Sequence, residues 1–365
     1  MKQLILFFFL LTIGSTVLFS QTKKIAFTKD KWTVPKSANH TYEKIDGQQA
    51  LRINGSAYVK EVEFVNGTLE VDIKANSNRS FAGILFRKQD NSMEEIYIRM
   101  HKSNQVSAIQ YTPIFNKESN WQLYPQHQAK APIKDNGWNH LKLEIMGSTA
   151  EVYLNDQLYM TVENLRTGFD KGQIGVKSLF DNHFANFRYT PKFYKPSTKK
   201  VSTKTVPANV INKWELSVAK RFDEELFASN NIPLDVPYKS YPTEGNGLLP
   251  ISKHVAKPSG NNFERNSEDY VVVRLNITSE IEQNKFFSFD FSDKIILYLN
   301  GQELFRGNNA FRSKDVQYLG YLNIDSNTIN LPLRKGNNEL HCVIIEKANG
   351  WGLMGRFKDM KNISL

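Results

Sequence analysis

Short runs in which apolar and polar residues alternate one by one recur along this chain. Leu69, Val71 and Ile73 alternate with Glu70, Asp72 and Lys74. Ile96, Ile98 and Met100 alternate with Glu95, Tyr97, Arg99 and His101, and Leu141, Leu143 and Ile145 with Lys142 and Glu144. A period of two is the mark of a strand with one buried face. Asn54-Gly55, Asn66-Gly67 and Asn136-Gly137 punctuate these runs as turns. Two stretches read as hairpins. In one, Ile295, Leu297 and Leu299 run into Asn300-Gly301 and an extended return; in the other, Ala150, Val152 and Leu154 run into Asn155-Asp156. No amphipathic helix longer than three turns is evident, and one short helix is expected at 223–228. The expected fold class is all-β, with two antiparallel β-sandwich (jelly-roll) domains joined by a basic linker.

The 365 residues suffice for two ordinary cores. Residues 1–20 read as a secretory signal: Lys2 precedes an unbroken apolar run from Leu4 to Leu11, and small residues follow. That run is too short to span a membrane, so the expected location is secreted or periplasmic. The first sandwich is expected over 21–190, the linker over 191–212 and the second sandwich over 213–365. Polar, proline-punctuated and rich in Lys195, Lys199, Lys200 and Lys204, the linker reads as a tether between separately folding domains.

Aromatic residues make up 12% of the chain, which suits strands. The net charge of +10 suits an acidic partner such as an anionic polysaccharide. No basic recognition helix is present, so nucleic acid is not expected. The single cysteine, Cys342, lies in an apolar run and reads as a buried small hydrophobe. The seven histidines show no ligand spacing, so no metal site and no cofactor are expected; a structural calcium has no signature here. Glu61/Glu63 and Glu70/Asp72 are the carboxylate pairs that one strand face could offer for glycoside cleavage, but their place reads as a solvated outer face.

The block 94–124 holds the best candidate site. Tyr97, Arg99 and His101 share one strand face, and Gln110, Tyr111, Asn116, Trp121, Gln122 and Tyr124 follow. Sugars are held by aromatic faces against their C–H surfaces, ringed by planar donors and acceptors, and this block supplies both. Trp121 is expected to be functional and dispensable for stability, and Trp32 and Trp138 structural. A weaker set, Arg306, Asn308, Asn309, Arg312 and Trp351, reads as turn chemistry and packing.

The first domain resembles the concanavalin A-like lectin/glucanase sandwiches, in particular the laminin G-like and 3-keto-disaccharide hydrolase-type domains. The resemblance rests on Phe81-Ala82-Gly83-Ile84-Leu85-Phe86-Arg87, Tyr97-Ile98-Arg99-Met100-His101, Gly137-Trp138-Asn139-His140-Leu141 and Gly172-Gln173-Ile174-Gly175-Val176. Residues 213–365 are similar to galactose-binding-like jelly rolls, through Tyr298-Leu299-Asn300-Gly301, Leu331-Pro332-Leu333 and Gly350-Trp351-Gly352. Together these imply a secreted carbohydrate-binding protein that takes a glycan on the concave face of the first sandwich. A glycoside or 3-keto-sugar hydrolase is the alternative, and an adhesive or structural surface protein the second. The E-x-D-x-x-E signature of laminarinase-type glucanases is absent.

Overall fold

The computed structural model describes residues 21–74, 78–193, 208–225, 234–260 and 268–365. The expected signal and most of the expected linker lie outside them, as does part of the helix expected at 223–228. The described chain is almost all β, in antiparallel sheets that form sandwiches. Among the described residues no helix is long and apolar enough to cross a membrane.

The first sandwich is a single hydrogen-bonded set of fourteen strands because two long strands serve both layers. Gln173–Pro191 pairs with Phe81–Gln89 through its first half and with Gly67–Lys74 through its second; the register shifts between Ser178 and Asn182. Gln48–Val59 follows it through the same bend. The front layer continues outward from Phe81–Gln89 through Ser92–Arg99 and Ile109–Phe115 to Gln128–Ala129. The back layer continues from Gly67–Lys74 through Trp138–Met146 and Thr149–Leu154 to Gln157–Glu163. Ile84, Phe86, Ile96, Ile98 and Tyr111 of the front meet Val71, Ile73, Leu141, Leu143 and Val152 of the back in one core. The period-two alternation thus turns Ile96, Ile98 and Met100 inward and Glu95, Tyr97 and Arg99 outward.

Both predicted hairpins form. Asn155 and Asp156 take φ of 49° and 67°, and Asn300 and Gly301 take 52° and 83°, the two-residue turn whose twist matches its strands. In the second sandwich one sheet runs Lys239–Pro242, Lys213–Leu216, Asp269–Ser279, Gly336–Glu346, Lys294–Leu299, Gln302–Asn308. It packs on a four-stranded sheet of Leu248–Pro250, Gly352–Phe357, Gln283–Phe291 and Asn327–Leu333. Trp214, Trp351, Phe287, Phe289 and Cys342 are fully buried between the two sheets, and burial pushes the Cys342 thiol up.

The sandwiches are held together by far more than the linker. Phe115, Leu123 and Tyr124 of the first form one apolar cluster with Leu248, Leu322, Ile324 and Met354 of the second. Asn116 Nδ2 donates to the Ser252 carbonyl at 2.8 Å, Gln122 Nε2 to the Leu319 carbonyl at 2.7 Å and Tyr124 OH to Glu244 Oε1 at 2.8 Å. Arg166 adds an ion pair to Glu244 at 3.2 Å, and Lys257 pairs with Glu118 at 3.2 Å with both side chains almost wholly buried. The two sandwiches, expected to fold separately on either side of a tether, pack against each other at these residues.

Candidate functional site

The outward face of the front layer is built in cross-strand rows. Leu179, Phe81 and Arg99 make one row, and Lys177, Gly83, Tyr97 and Gln110 the next, with Glu95 beyond. Gly83 sits where no side chain fits: a Cβ there would lie 2.1 Å from the Ile96 carbonyl oxygen and 2.6 Å from Tyr97 Cβ. On the same face Lys177 Nζ and Glu95 Oε2 form an ion pair at 2.7 Å. Tyr97 OH donates to Gln110 Oε1 at 2.9 Å. Burial, with Glu95 nearby, raises the Tyr97 phenol well above its ordinary value, so it remains a donor.

These residues floor a cavity of about 490 Å³ whose other walls come from both sandwiches. Lys117, Glu118, Ser119 and Trp121 follow the front layer's last long strand, and Phe311, Ala348 and Asn349 belong to the second sandwich. The volume falls in the range of small-molecule sites, roughly 300–1,000 Å³. Trp121 lines it with its ring edge-on to Phe311 at 5.9 Å and Tyr321 at 5.7 Å. Phe81 is the second aromatic wall: the Arg79 and Arg99 guanidiniums lie 5.9 and 5.4 Å from its ring. Burial holds Glu118 above the usual carboxylate range, and Lys257 opposes that shift.

Of the nine residues proposed from the sequence, Tyr97, Arg99, Gln110 and Trp121 line this cavity. The other five sit elsewhere. His101 falls in the turn Met100–Lys102 and packs its ring on Phe81 at 5.3 Å, behind the cavity wall. Tyr111 has the opposite parity: it is buried in the core and donates to Glu94 Oε2 at 2.7 Å. Asn116, Gln122 and Tyr124 form the interdomain bonds given above, so the Asn116 and Gln122 amide nitrogens and the Tyr124 hydroxyl are already donating. Glu95, Lys177, Arg79, Phe81, Glu118, Phe311 and Asn349 were missed. Glu95 was readable, since it shares parity with Tyr97; Phe311 and Asn349 carry no local signal. In the weaker set, Arg306 pairs with Glu303 at 2.8 Å, Asn309 bonds Asp290 at 2.7 Å and Trp351 is core.

Glu70 and Asp72 lie on the back layer, tied to His140 at 3.2 and 2.7 Å, away from the cavity. Among the described residues no group of three or more His, Cys, Asp or Glu side chains is placed to hold a metal ion.

Residues 17–189, just under half of the chain, match the model of the 3-keto-alpha-glucoside-1,2-lyase-like domain. The first sandwich is thus similar to the type of domain that its sequence motifs resemble. No curated protein matches the sequence. Among solved structures, the carbohydrate binding module CBM66 from Bacillus subtilis is 17% identical, over 47% of this chain and 98% of that one, with a TM-score of 0.34. A β-glucanase from Bacillus licheniformis is 12% identical over 48% and 99%, with a TM-score of 0.34. A galectin from Caenorhabditis elegans is 11% identical over 42% and 96%, with a TM-score of 0.28. At these identities and scores no residue role passes from them to this chain.

Proposed function

We propose that the cavity between the sandwiches is a carbohydrate-binding site and that the protein is a glycan-binding protein acting outside the cytoplasm, secreted or periplasmic. The observation that carries the reading is the meeting of Tyr97, Arg99 and Gln110 with the Phe81 and Trp121 rings in one enclosed space. A sugar ring bound there sets its C–H face on an aromatic wall, while the arginine and amide serve its hydroxyls. The family matched over residues 17–189 is likewise named for a sugar-directed domain. A glycan array with the mature chain, followed by titration of the best ligands, tests it. Saturable binding that Tyr97→Ala weakens by about 1–3 kcal/mol supports the site. The absence of any binding partner among neutral and acidic glycans overturns it.

A second reading, cleavage of a keto-sugar, is favoured by the same family match together with the two carboxylates of the cavity, Glu95 and Glu118. Glu118, kept basic by burial, is the group suited to accept a proton from carbon next to a carbonyl. Incubation with 3-keto-glucosides separates the two readings. Product release that disappears in Glu118→Gln, with ligand binding kept, establishes the enzyme.

A further inference from the structure

The Arg79 and Arg99 guanidiniums lie 5.9 and 5.4 Å from the one Phe81 ring, and both residues line the cavity. Neither has a carboxylate partner among the described residues, and nor does Lys117, the third free cation of the wall. Both carboxylates of the cavity are already engaged: Glu95 by Lys177 at 2.7 Å and Glu118 by Lys257 at 3.2 Å. Two buried donors at this place, Arg99 Nε and Gln110 Nε2, have no acceptor in the described structure. Buried polar groups without partners are rare in folded proteins and costly to leave unmade. Like charges gathered at one wall add repulsion that only a counter-charge relieves.

We propose that the glycan taken by this cavity is acidic, its carboxylate or sulfate group docking at the Phe81 end between Arg79 and Arg99. This rests on the carbohydrate-binding reading and specifies its ligand class. A planar guanidinium matches a carboxylate or sulfate with two parallel hydrogen bonds, and such charge-assisted pairs are about twice as strong as neutral ones. Trp121 and Phe311, edge-on to each other at 5.9 Å, also line the cavity and are left for the uncharged sugar surface. His101, on the edge of Phe81, is lowered to about 4 by burial and by Arg99, Lys102 and Arg79. It is therefore neutral at pH 7 and adds no positive charge of its own.

The test is calorimetric titration of the mature chain with three oligosaccharide probes of equal length: a neutral galactan oligomer, an oligogalacturonate and a sulfated galactan oligomer. At low salt at least one acidic probe is expected to bind about tenfold or more tighter than the neutral one, and the gap to narrow near 0.5 M salt. Which acidic probe wins distinguishes carboxylate from sulfate. Arg99→Gln and Arg79→Gln should each reduce the acidic-to-neutral affinity ratio by about tenfold. Thermal melting of each variant controls for folding, and Arg79→Gln alone suffices should Arg99→Gln unfold. Neutral binding equal to or tighter than acidic, or a ratio unchanged in both variants, overturns the acidic ligand and leaves the binding site standing. Binding of none of the three overturns both.

Discussion

Trp121 Nε1 donates to Asn349 Oδ1 at 3.0 Å, joining two residues 228 positions apart in the chain. Asn349 takes a φ of 93°, unusual for a residue with a side chain, and its carbonyl also accepts from Gln122 N at 3.2 Å. The loop of the second sandwich is thus clamped on the turn that carries the cavity's tryptophan. Trp121 thus belongs to the interface as well as to the proposed site, and its contacts argue against its being dispensable for stability. Trp121→Ala should lower stability by about 2–3 kcal/mol and abolish ligand binding, whereas Trp121→Phe should retain most of the stability. Urea melts of both variants check this. An unchanged midpoint in Trp121→Ala would show that the clamp contributes nothing.

The Glu118–Lys257 pair crosses the interface with side chains only 3% and 2% exposed. Removing one partner leaves the other charge buried and alone, which costs more than the pair is worth. Lys257→Met should destabilise by about 3–5 kcal/mol, and the double variant Lys257→Met, Glu118→Gln should recover much of that loss. Equal stability of the single and double variants would show that water or another group already compensates Glu118.

The back layer carries a charge network that predicts a pH profile. His140 is pushed up to about 9 by its bonds to Asp72 and Glu70. Burial alone would raise Glu70, but bonds from His140 and Arg188 bring it down to about 2. For the histidine, folded above unfolded, the stabilisation is full below about 6.5 and is lost as pH rises through about 9. For Glu70, folded below unfolded, it is present above about 4.5 and lost as pH falls through about 2. The network is strongest from about pH 4.5 to 6.5 and contributes on the order of 2 kcal/mol there. His140→Gln should flatten the decline between pH 6.5 and 9 in denaturant melts; a decline of unchanged slope would assign it to other groups.

The extent to which this was legible follows from what period-two patterning encodes. Alternation tells which face of a strand a residue takes, so Tyr97 and Arg99 out and Ile96 and Ile98 in were readable, as were the Asn-Gly and Asn-Asp turns. It does not tell what arrives on that face from elsewhere in the chain. Asn116, Gln122 and Tyr124 look like free polar and aromatic groups in sequence, yet their partners Ser252, Leu319 and Glu244 lie more than a hundred residues on. Tyr111 was misplaced for a simpler reason: it pairs directly with Ile96 and shares its inward parity. Gly83 carried its information in the missing Cβ, visible only once Tyr97 lies beside it.

The interface also predicts what happens when the chain is cut. A specific protease site inserted within 194–207 would, once cleaved, divide the chain between the two sandwiches. The halves should stay together on gel filtration after cleavage, because Phe115, Leu123 and Tyr124 are buried against Leu248, Leu322, Ile324 and Met354. Those apolar side chains would otherwise be exposed, at a cost of about 1.5–3 kcal/mol for each large one. Ligand binding should survive the cut, since Phe311, Ala348 and Asn349 remain on the cavity wall. The first sandwich expressed alone should then bind weakly or aggregate, and the second half added in trans should restore binding. Separation of the halves on dilution with binding retained by the first alone would show that the second sandwich plays no part in the site.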